Sequence, residues 1–234
     1  MNSSVAGTTN QAILISFSGM DGAGKSTQIE NVCEELAAAR ISVRRLAFWD
    51  HVAALPNARA KFSHKFLKSD GRVGSAGHPV QRNDKNARAW YLTLGRSVLY
   101  LVDAVKLRSQ VQQSRANFNG VIVFDRYIYD QLATLSLKSA AARAYARLLL
   151  AIVPRPDLPF VLDAIPEQAR ERKPEYPLEF LHKYRSSYLQ LRDLADLTLI
   201  EPMSLEDARA AILKRLERCN IGAGAETKYS LESV

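Results

Sequence analysis

The stretch Gly19-Met20-Asp21-Gly22-Ala23-Gly24-Lys25-Ser26-Thr27 fits G-x-x-x-x-G-K-[ST] at every fixed position. Ahead of it runs Ala12-Ile13-Leu14-Ile15-Ser16-Phe17, an apolar run of strand length. Behind it, Ile29, Val32, Cys33 and Leu36 recur at i, i+3, i+4 and i+7, the spacing of an amphipathic helix. Strand, glycine loop and helix in that order form the context a phosphate-binding loop needs. In such a loop the backbone amides turn inward and the helix N-terminus adds partial positive charge. Gly19, Asp21, Gly22, Ala23, Gly24, Lys25, Ser26 and Thr27 are therefore the candidate phosphate-binding residues. The Lys25 ammonium suits the β- and γ-phosphates, and the Ser26 hydroxyl suits Mg²⁺. The bland reading, a glycine turn with a solvated lysine, fits the context less well. The motif implies a nucleoside triphosphate with Mg²⁺ and leaves open what is done with it.

Composition limits the alternatives. A chain of 234 residues, 47% hydrophobic, forms a core without disulfides, as one α/β domain with or without insertions. Cys33 and Cys219 have no zinc spacing and read as ordinary thiols of a reduced, cytoplasmic protein. No apolar run approaches the roughly 20 residues of a membrane span, and residues 1–11 lack the charged and apolar regions of a secretory signal and are expected to be disordered. The tail from 220 to 234 is expected to be flexible. The net charge of +8 is concentrated: between Arg59 and Arg88 eight Lys and Arg face only Asp70 and Asp84. That segment fits nucleic acid, but a nucleotide enzyme also gathers cations around phosphates, so the small anion is favoured and nucleic acid is not.

Further along, residues 41–49 read as a second strand, followed by Asp50-His51. Residues just past a strand's carboxyl end face the ligand crevice of an open α/β sheet. Phe48, Trp49, Asp50 and His51 are thus candidates for binding an acceptor, with core Phe48 and Trp49 and a polar turn as the even alternative. A short helix near 58–68 and a long irregular loop over 69–86 make up a basic insertion of about 56–88. A helix over 87–114 carries the stripe Tyr91, Leu94, Val98, Leu101 and Val105, with Arg96 and Asp103 off it. Arg96 is a candidate for an acceptor phosphate, though a solvated arginine is the commoner case. Val121-Ile122-Val123-Phe124 is a continuous apolar strand of the kind found inside parallel sheets. It ends in Asp125-Arg126-Tyr127: the carboxylate is placed to hold Mg²⁺, Arg126 to meet a phosphate, and a helix cap is the alternative for Asp125.

Helices are expected over 128–138 and 140–152, a strand over 158–163, a helix from Ile165 with Pro166 near its first position, and a helix from 178 with Leu181, Tyr184, Tyr188 and Leu191 on its stripe. A last strand, Leu197–Ile200, precedes a helix capped by Ser204-x-x-Asp207 and ending near Cys219. This order of elements implies a doubly wound parallel sheet with right-handed crossovers.

With these pieces in place, the chain resembles the thymidylate kinase family of nucleoside-monophosphate kinases. The phosphate loop with Asp21, Asp125-Arg126-Tyr127, Pro156-Asp157-Leu158 before Phe160-Val161-Leu162-Asp163, and Pro166-Glu167 leading to Arg172 carry the resemblance over residues 12–218. It implies a P-loop NTPase three-layer sandwich, with a five-stranded parallel sheet, helices on both faces and a short lid at about 165–178, all within a kinase domain spanning 12–219. It implies ATP and Mg²⁺ at the loop, and transfer of the γ-phosphoryl to dTMP. Asp21 would touch the acceptor sugar, Arg126 and Tyr127 would lie at the acceptor, and Asp125 and Ser26 would serve the metal. Lys25, Arg126, Arg170 and Arg172 would be the catalytic cations, since phosphoryl transfer depends on positioning and positive charge. The family is commonly dimeric, which makes the 87–114 helix either a candidate homodimer interface or plain core.

Three departures stand beside the resemblance. Where the family has Thr-Arg-Glu-Pro after its second strand, this chain has Phe48-Trp49-Asp50-His51, without the arginine that grips the acceptor phosphate. The loop position that can carry a catalytic arginine is Gly22, and the lid holds only Arg170, Arg172 and Lys173 before prolines. On a regular helix Arg170 and Lys173 share a face and Arg172 points away. The insertion is also longer and more basic than the family pattern. A kinase of a deoxynucleoside or other small hydroxyl compound, and a nucleotide-binding regulatory protein without turnover, are the alternatives. A GTPase is disfavoured by the lack of an N-K-x-D motif.

Overall fold

The computed structural model describes residues 12–53, 90–135, 137–219 and 221. The expected insertion helix and loop, with the whole 56–88 segment, residues 1–11 and nearly all of the tail lie outside the described residues. In chain order the elements are β1 (Ile13–Gly19), α1 (Lys25–Ala38), β2 (Val43–Ala47), α2 (Phe48–His51), α3 (Trp90–Ala116), β3 (Val121–Asp125), α4 (Ile128–Leu132), α5 (Ala140–Ile152), β4 (Leu158–Leu162), α6 (Pro166–Arg172), α7 (Leu178–Ala195), β5 (Thr198–Ile200) and α8 (Leu205–Arg218). The five strands form one sheet in the order β2-β3-β1-β4-β5, and every pairing is parallel.

Because the sheet is covered on both sides, its central strands read as unbroken apolar runs rather than alternating ones. Leu14, Ile122, Phe124 and Val161 face one layer, packed with Leu107, Val111 and Leu149. Ile15, Phe17, Val123 and Phe160 face the other, packed with Ile29, Val32 and Ile212. Phe17 and Phe160 stack across neighbouring strands with ring centroids 5.3 Å apart. Each such fully buried side chain contributes about 1.5–3 kcal/mol relative to exposure.

Strand register places the site. Phe17 lies opposite Asp125, Ala47 opposite Asp125 and Gly19 opposite Leu162. The loop after β1 and the turns after β2, β3 and β4 therefore open at the same carboxyl edge. The opposite edge is closed by Asp157, whose carboxylate accepts hydrogen bonds from the Leu14 amide (2.7 Å) and from Arg115 (2.7 Å) at the end of α3. The Pro156-Asp157-Leu158 motif is accounted for by that structural latch.

Two expectations change. The second strand stops at Ala47 rather than running to Trp49, because Phe48 turns into the core and starts the helical turn α2. On α3 the expected stripe is not the buried one: Val98 and Val105 are 53% and 54% exposed, whereas Tyr100, Ala104, Leu107 and Val111 are buried. The packed face includes Asp103 and Ser114, polar residues that mask it in the sequence. Asp103 is satisfied by a hydrogen bond from Gln131 of α4. The side chains of Tyr91 and Leu94 lie outside the described residues. The Ser204 cap is present, accepting from the Asp207 amide at 3.1 Å.

Candidate active site

The loop enters α1 through Gly24, which sits in the left-handed region at φ 84°, a conformation glycine adopts without a Cβ penalty. Lys25, the first residue of the helix, is buried. Its Nζ donates to the carbonyls of Gly19 and Met20, both at 2.8 Å, and lies 3.8 Å from Asp21. Burial and the nearby Arg126 lower its pKa to about 8, with Asp130 and Asp21 pulling the other way. Ser26 and Thr27 follow on the exposed side of the first turn. A hydroxyl and loop amides are thus open to a ligand, over a lysine anchored beneath them.

Gly22 marks where α6 meets the loop. A Cβ there would lie 2.3 Å from the carbonyl oxygen of Ala169 on α6. From the same helix Arg172 donates to the Gly22 carbonyl at 3.3 Å. Arg170 is exposed on α6 and takes no part in this contact. Lys173 leaves helical geometry at φ −147°, ψ 87° and pairs with Glu175 at 3.1 Å. On a regular helix Lys173 would share a face with Arg170, and this break in the backbone at Lys173 removes it from that face. Beside the loop a cleft is lined by Ala23, Gln28, Asp163, Ile165, Arg172, Met203 and Leu205. Gln28 holds its far wall by donating to the Leu205 carbonyl at 2.8 Å.

The other half of the site grows from the end of β3. Arg126 has φ 66°, an uncommon conformation for a residue with a side chain. Its amide continues the ladder to the Phe17 carbonyl at 2.9 Å. Its guanidinium bridges two carboxylates, Asp21 in the loop and Asp130 in α4, the latter at 3.1 Å. Burial works against the charge on Arg126, but Asp130 and Asp21 outweigh it and raise its pKa. Burial likewise pushes Asp21 up, while Arg126 and Lys25 together bring it below the usual carboxylate range. Lys25, Asp21, Arg126 and Asp130 thus form one ionic chain joining the phosphate loop to the end of β3.

Asp125 stands next to this chain and is paired with Arg45 of β2 at 3.4 Å. It does not cap α4, whose N-cap is Tyr127. Tyr127 is corrected from candidate acceptor contact to core residue: it is fully buried, packs on Phe124 and Tyr129, and donates its hydroxyl to the Pro154 carbonyl at 2.6 Å. Trp49 and Asp50 are exposed just past β2, with Trp49 edge-on to the buried Phe48. The turn is stapled locally by His51, whose Nδ1 lies 3.1 Å from the Ala47 amide. Arg96 is exposed on α3 and stands outside the ionic chain. Sequence reasoning missed Arg45, Asp130 and the hydroxyl roles of Tyr184 and Tyr188. The available signal was a carboxylate inside the apolar run Ile128-Tyr129-Asp130-Gln131-Leu132.

The fit to Mg²⁺ follows from donor chemistry. Among the described residues no group of three or more His, Cys, Asp or Glu could hold a metal ion. A metal held by protein alone does not fit there. One shared between the Ser26 hydroxyl, the Asp125 carboxylate, phosphate oxygens and water does fit, because Mg²⁺ keeps several non-protein ligands.

No family model matches the chain. A probable thymidylate kinase of Archaeoglobus fulgidus is 25% identical over 213 residues, covering 88% of this chain and 95% of that protein. Another, from Methanosphaera stadtmanae, is 25% identical over 213 residues, covering 87% and 98%. The chain is similar to these two probable thymidylate kinases over nearly its whole length. By that relationship it is a nucleotide kinase, a phosphotransferase. The solved thymidylate kinase of Candida albicans, described as having broad substrate specificity, superposes with a TM-score of 0.59 at 16% identity, over 91% of this chain and 94% of that one. That likeness establishes the α/β fold of this chain. No helix among its described residues is long and apolar enough to cross a membrane.

Proposed function

We propose that the protein transfers the γ-phosphoryl of ATP to a nucleoside monophosphate, with dTMP the first candidate. The observation that carries this reading is the ionic chain Lys25-Asp21-Arg126-Asp130. It couples the donor's loop to a guanidinium at the neighbouring strand end, where an acceptor in the crevice would lie. The names of the archaeal relatives support dTMP.

In this reading the loop amides and Lys25 hold the β- and γ-phosphates, and the donor base lies in the cleft between Ala23 and Met203. Arg172, already at the loop, serves the transferring phosphoryl, with Arg170 farther out. Asp21 meets the acceptor sugar and Arg126 its phosphate. Trp49, Asp50 and Arg96 line the approach. Mg²⁺ held by Ser26 and Asp125 would offset phosphate charge. Catalysis by these residues consists of alignment and charge stabilisation in a water-poor crevice. We place the lid at α6 and the turn into α7.

One observation favours a second acceptor class. Arg126 already lies between two carboxylates, so its charge is compensated before any phosphate arrives. A deoxynucleoside, presenting a neutral hydroxyl, needs no such clamp. The experiment is ADP release from ATP and Mg²⁺ against dTMP, dUMP, other monophosphates and free nucleosides, with Lys25→Ala as control. The proposal requires a monophosphate response that the control lacks. A response to nucleosides alone selects the second reading, and ATP binding without any acceptor response overturns both.

A further inference from the structure

Asp130 is a fully buried carboxylate with every near neighbour accounted for. One oxygen accepts from Arg126 (3.1 Å) and from the Tyr188 hydroxyl (2.9 Å). The other accepts from the Tyr127 amide (3.2 Å). Its own backbone carbonyl accepts from the Tyr184 hydroxyl (3.1 Å), and the two tyrosine hydroxyls lie 3.3 Å apart. A buried ion is tolerated when its lone pairs are met in this way, and breaking one partner of such a network costs more than the bond itself.

Both tyrosines come from α7, the helix that follows the lid. The next residue along, Arg185, reaches the end of β4 and grips Asp163 with two hydrogen bonds of 2.8 and 2.7 Å. Tyr176, Phe180, Tyr184 and Tyr188 form a continuous ladder of ring contacts from the lid turn down to Asp130. Thus α7 is fastened across the carboxyl edge of the sheet at two strand ends. At one of them it holds the carboxylate that holds Arg126.

The geometry points to Asp130, with Tyr188 and Tyr184, as a positioning set that fixes the Arg126 guanidinium toward Asp21 and so toward the acceptor. Arg126 has an uncommon left-handed backbone for a residue with a side chain, and the set fixes where that backbone sends its guanidinium. The set lies too deep to touch substrate. It acts through Arg126, which makes Tyr188 and Asp130 positioning residues for the acceptor half of the reaction proposed above, on which the kinetic side of the inference rests.

The test uses the whole protein and two separate readouts. Tyr188→Phe removes one hydroxyl and keeps the ring. It is expected to raise the acceptor KM about fivefold and lower kcat about tenfold, with the ATP KM within about twofold. Added to Arg126→Ala, it should change nothing further, because the guanidinium it orients is gone. Equal effects on both substrates, or full additivity in the double variant, would overturn the inference. The second readout needs no turnover: the side-chain NMR signals of Arg126, assigned by their loss in Arg126→Lys, report hindered rotation of a clamped guanidinium. They should be resolved in the native protein and averaged in Tyr188→Phe and Asp130→Asn. Unchanged signals in both variants refute the positioning set whatever the enzyme does. Averaged signals in a protein that phosphorylates no acceptor uphold it and refute the kinase reading instead.

Discussion

The two halves of the site are built from different materials. The proposed donor half is backbone: nine consecutive residues supply amides, two carbonyls that seat Lys25, and the hydroxyls of Ser26 and Thr27. The proposed acceptor half is side chain: Asp21, Arg126, Asp130 and Tyr188 come from the loop, the end of β3, α4 and α7. A backbone site depends on local conformation and is written in contiguous sequence. A side-chain site depends on long-range packing, so it tolerates rebuilding and can be retuned to another acceptor without disturbing the donor.

The sharpest way to break this contrast is Lys25→Ala, which removes charge from the seam of both halves. Acceptor-dependent ADP formation should fall about 10³-fold or more, read in a coupled assay. Arg126→Ala should separate the halves: kcat/KM for the acceptor falls about 10²-fold, while ATP affinity by calorimetry shifts less than about threefold. A comparable loss of ATP affinity would mean that the halves are one unit. Gly22→Ala probes the lid contact. The added methyl meets the Ala169 carbonyl and the backbone is left-handed, so stability should drop by about 1–3 kcal/mol in urea titration. It should also loosen α6, visible as faster amide exchange.

A pH series sharpens the donor half alone. Lys25 has a lowered folded pKa of about 8, so the unattended loop loses this charge as pH rises through 8. Then kcat/KM for ATP, which reports the free enzyme, should decline above that pH. In Lys25→Arg, which keeps its charge, the decline should disappear. The same shift has an opposite sign in stability. Below about pH 8 the folded protein bears the full cost of a charged buried lysine, and between there and the lysine's unfolded value the cost is relieved, so this contribution rises with pH. The smallest effect is expected from Arg45→Ala, whose partly exposed pair with Asp125 is screened by water. The change in kcat should stay within about threefold and be visible chiefly as altered Mg²⁺ dependence.

The same division explains what could be read in advance. The loop, the order of strands and helices and the carboxyl-edge location of Asp125 and Arg126 follow from local patterns of two and 3.6 residues and from crossover handedness. The packed face of α3 did not follow, because Asp103 and Ser114 are buried where Val98 and Val105 are exposed. Which face is covered depends on neighbours such as Gln131 that no helical period reveals. Tyr127 looked like part of a motif at a strand end, yet as the N-cap of the next helix its side chain points where packing sends it. Asp130 was invisible as a site residue because its importance lies in what surrounds it. The stripe of Tyr184 and Tyr188 was legible as core, which it is, but not as a source of two hydroxyls.

The approach of Gly22 to Ala169 also constrains how this protein could change over generations. The space that a side chain at position 22 would need is filled by the lid's own main chain. An arginine could therefore not be moved from lid to loop by one substitution. The lid would first have to retreat, withdrawing Arg172 from its carbonyl and passing through a form with neither cation in place. The arrangement is in that sense a one-way door: a lineage that enters it with glycine keeps its arginine on α6, outside the loop.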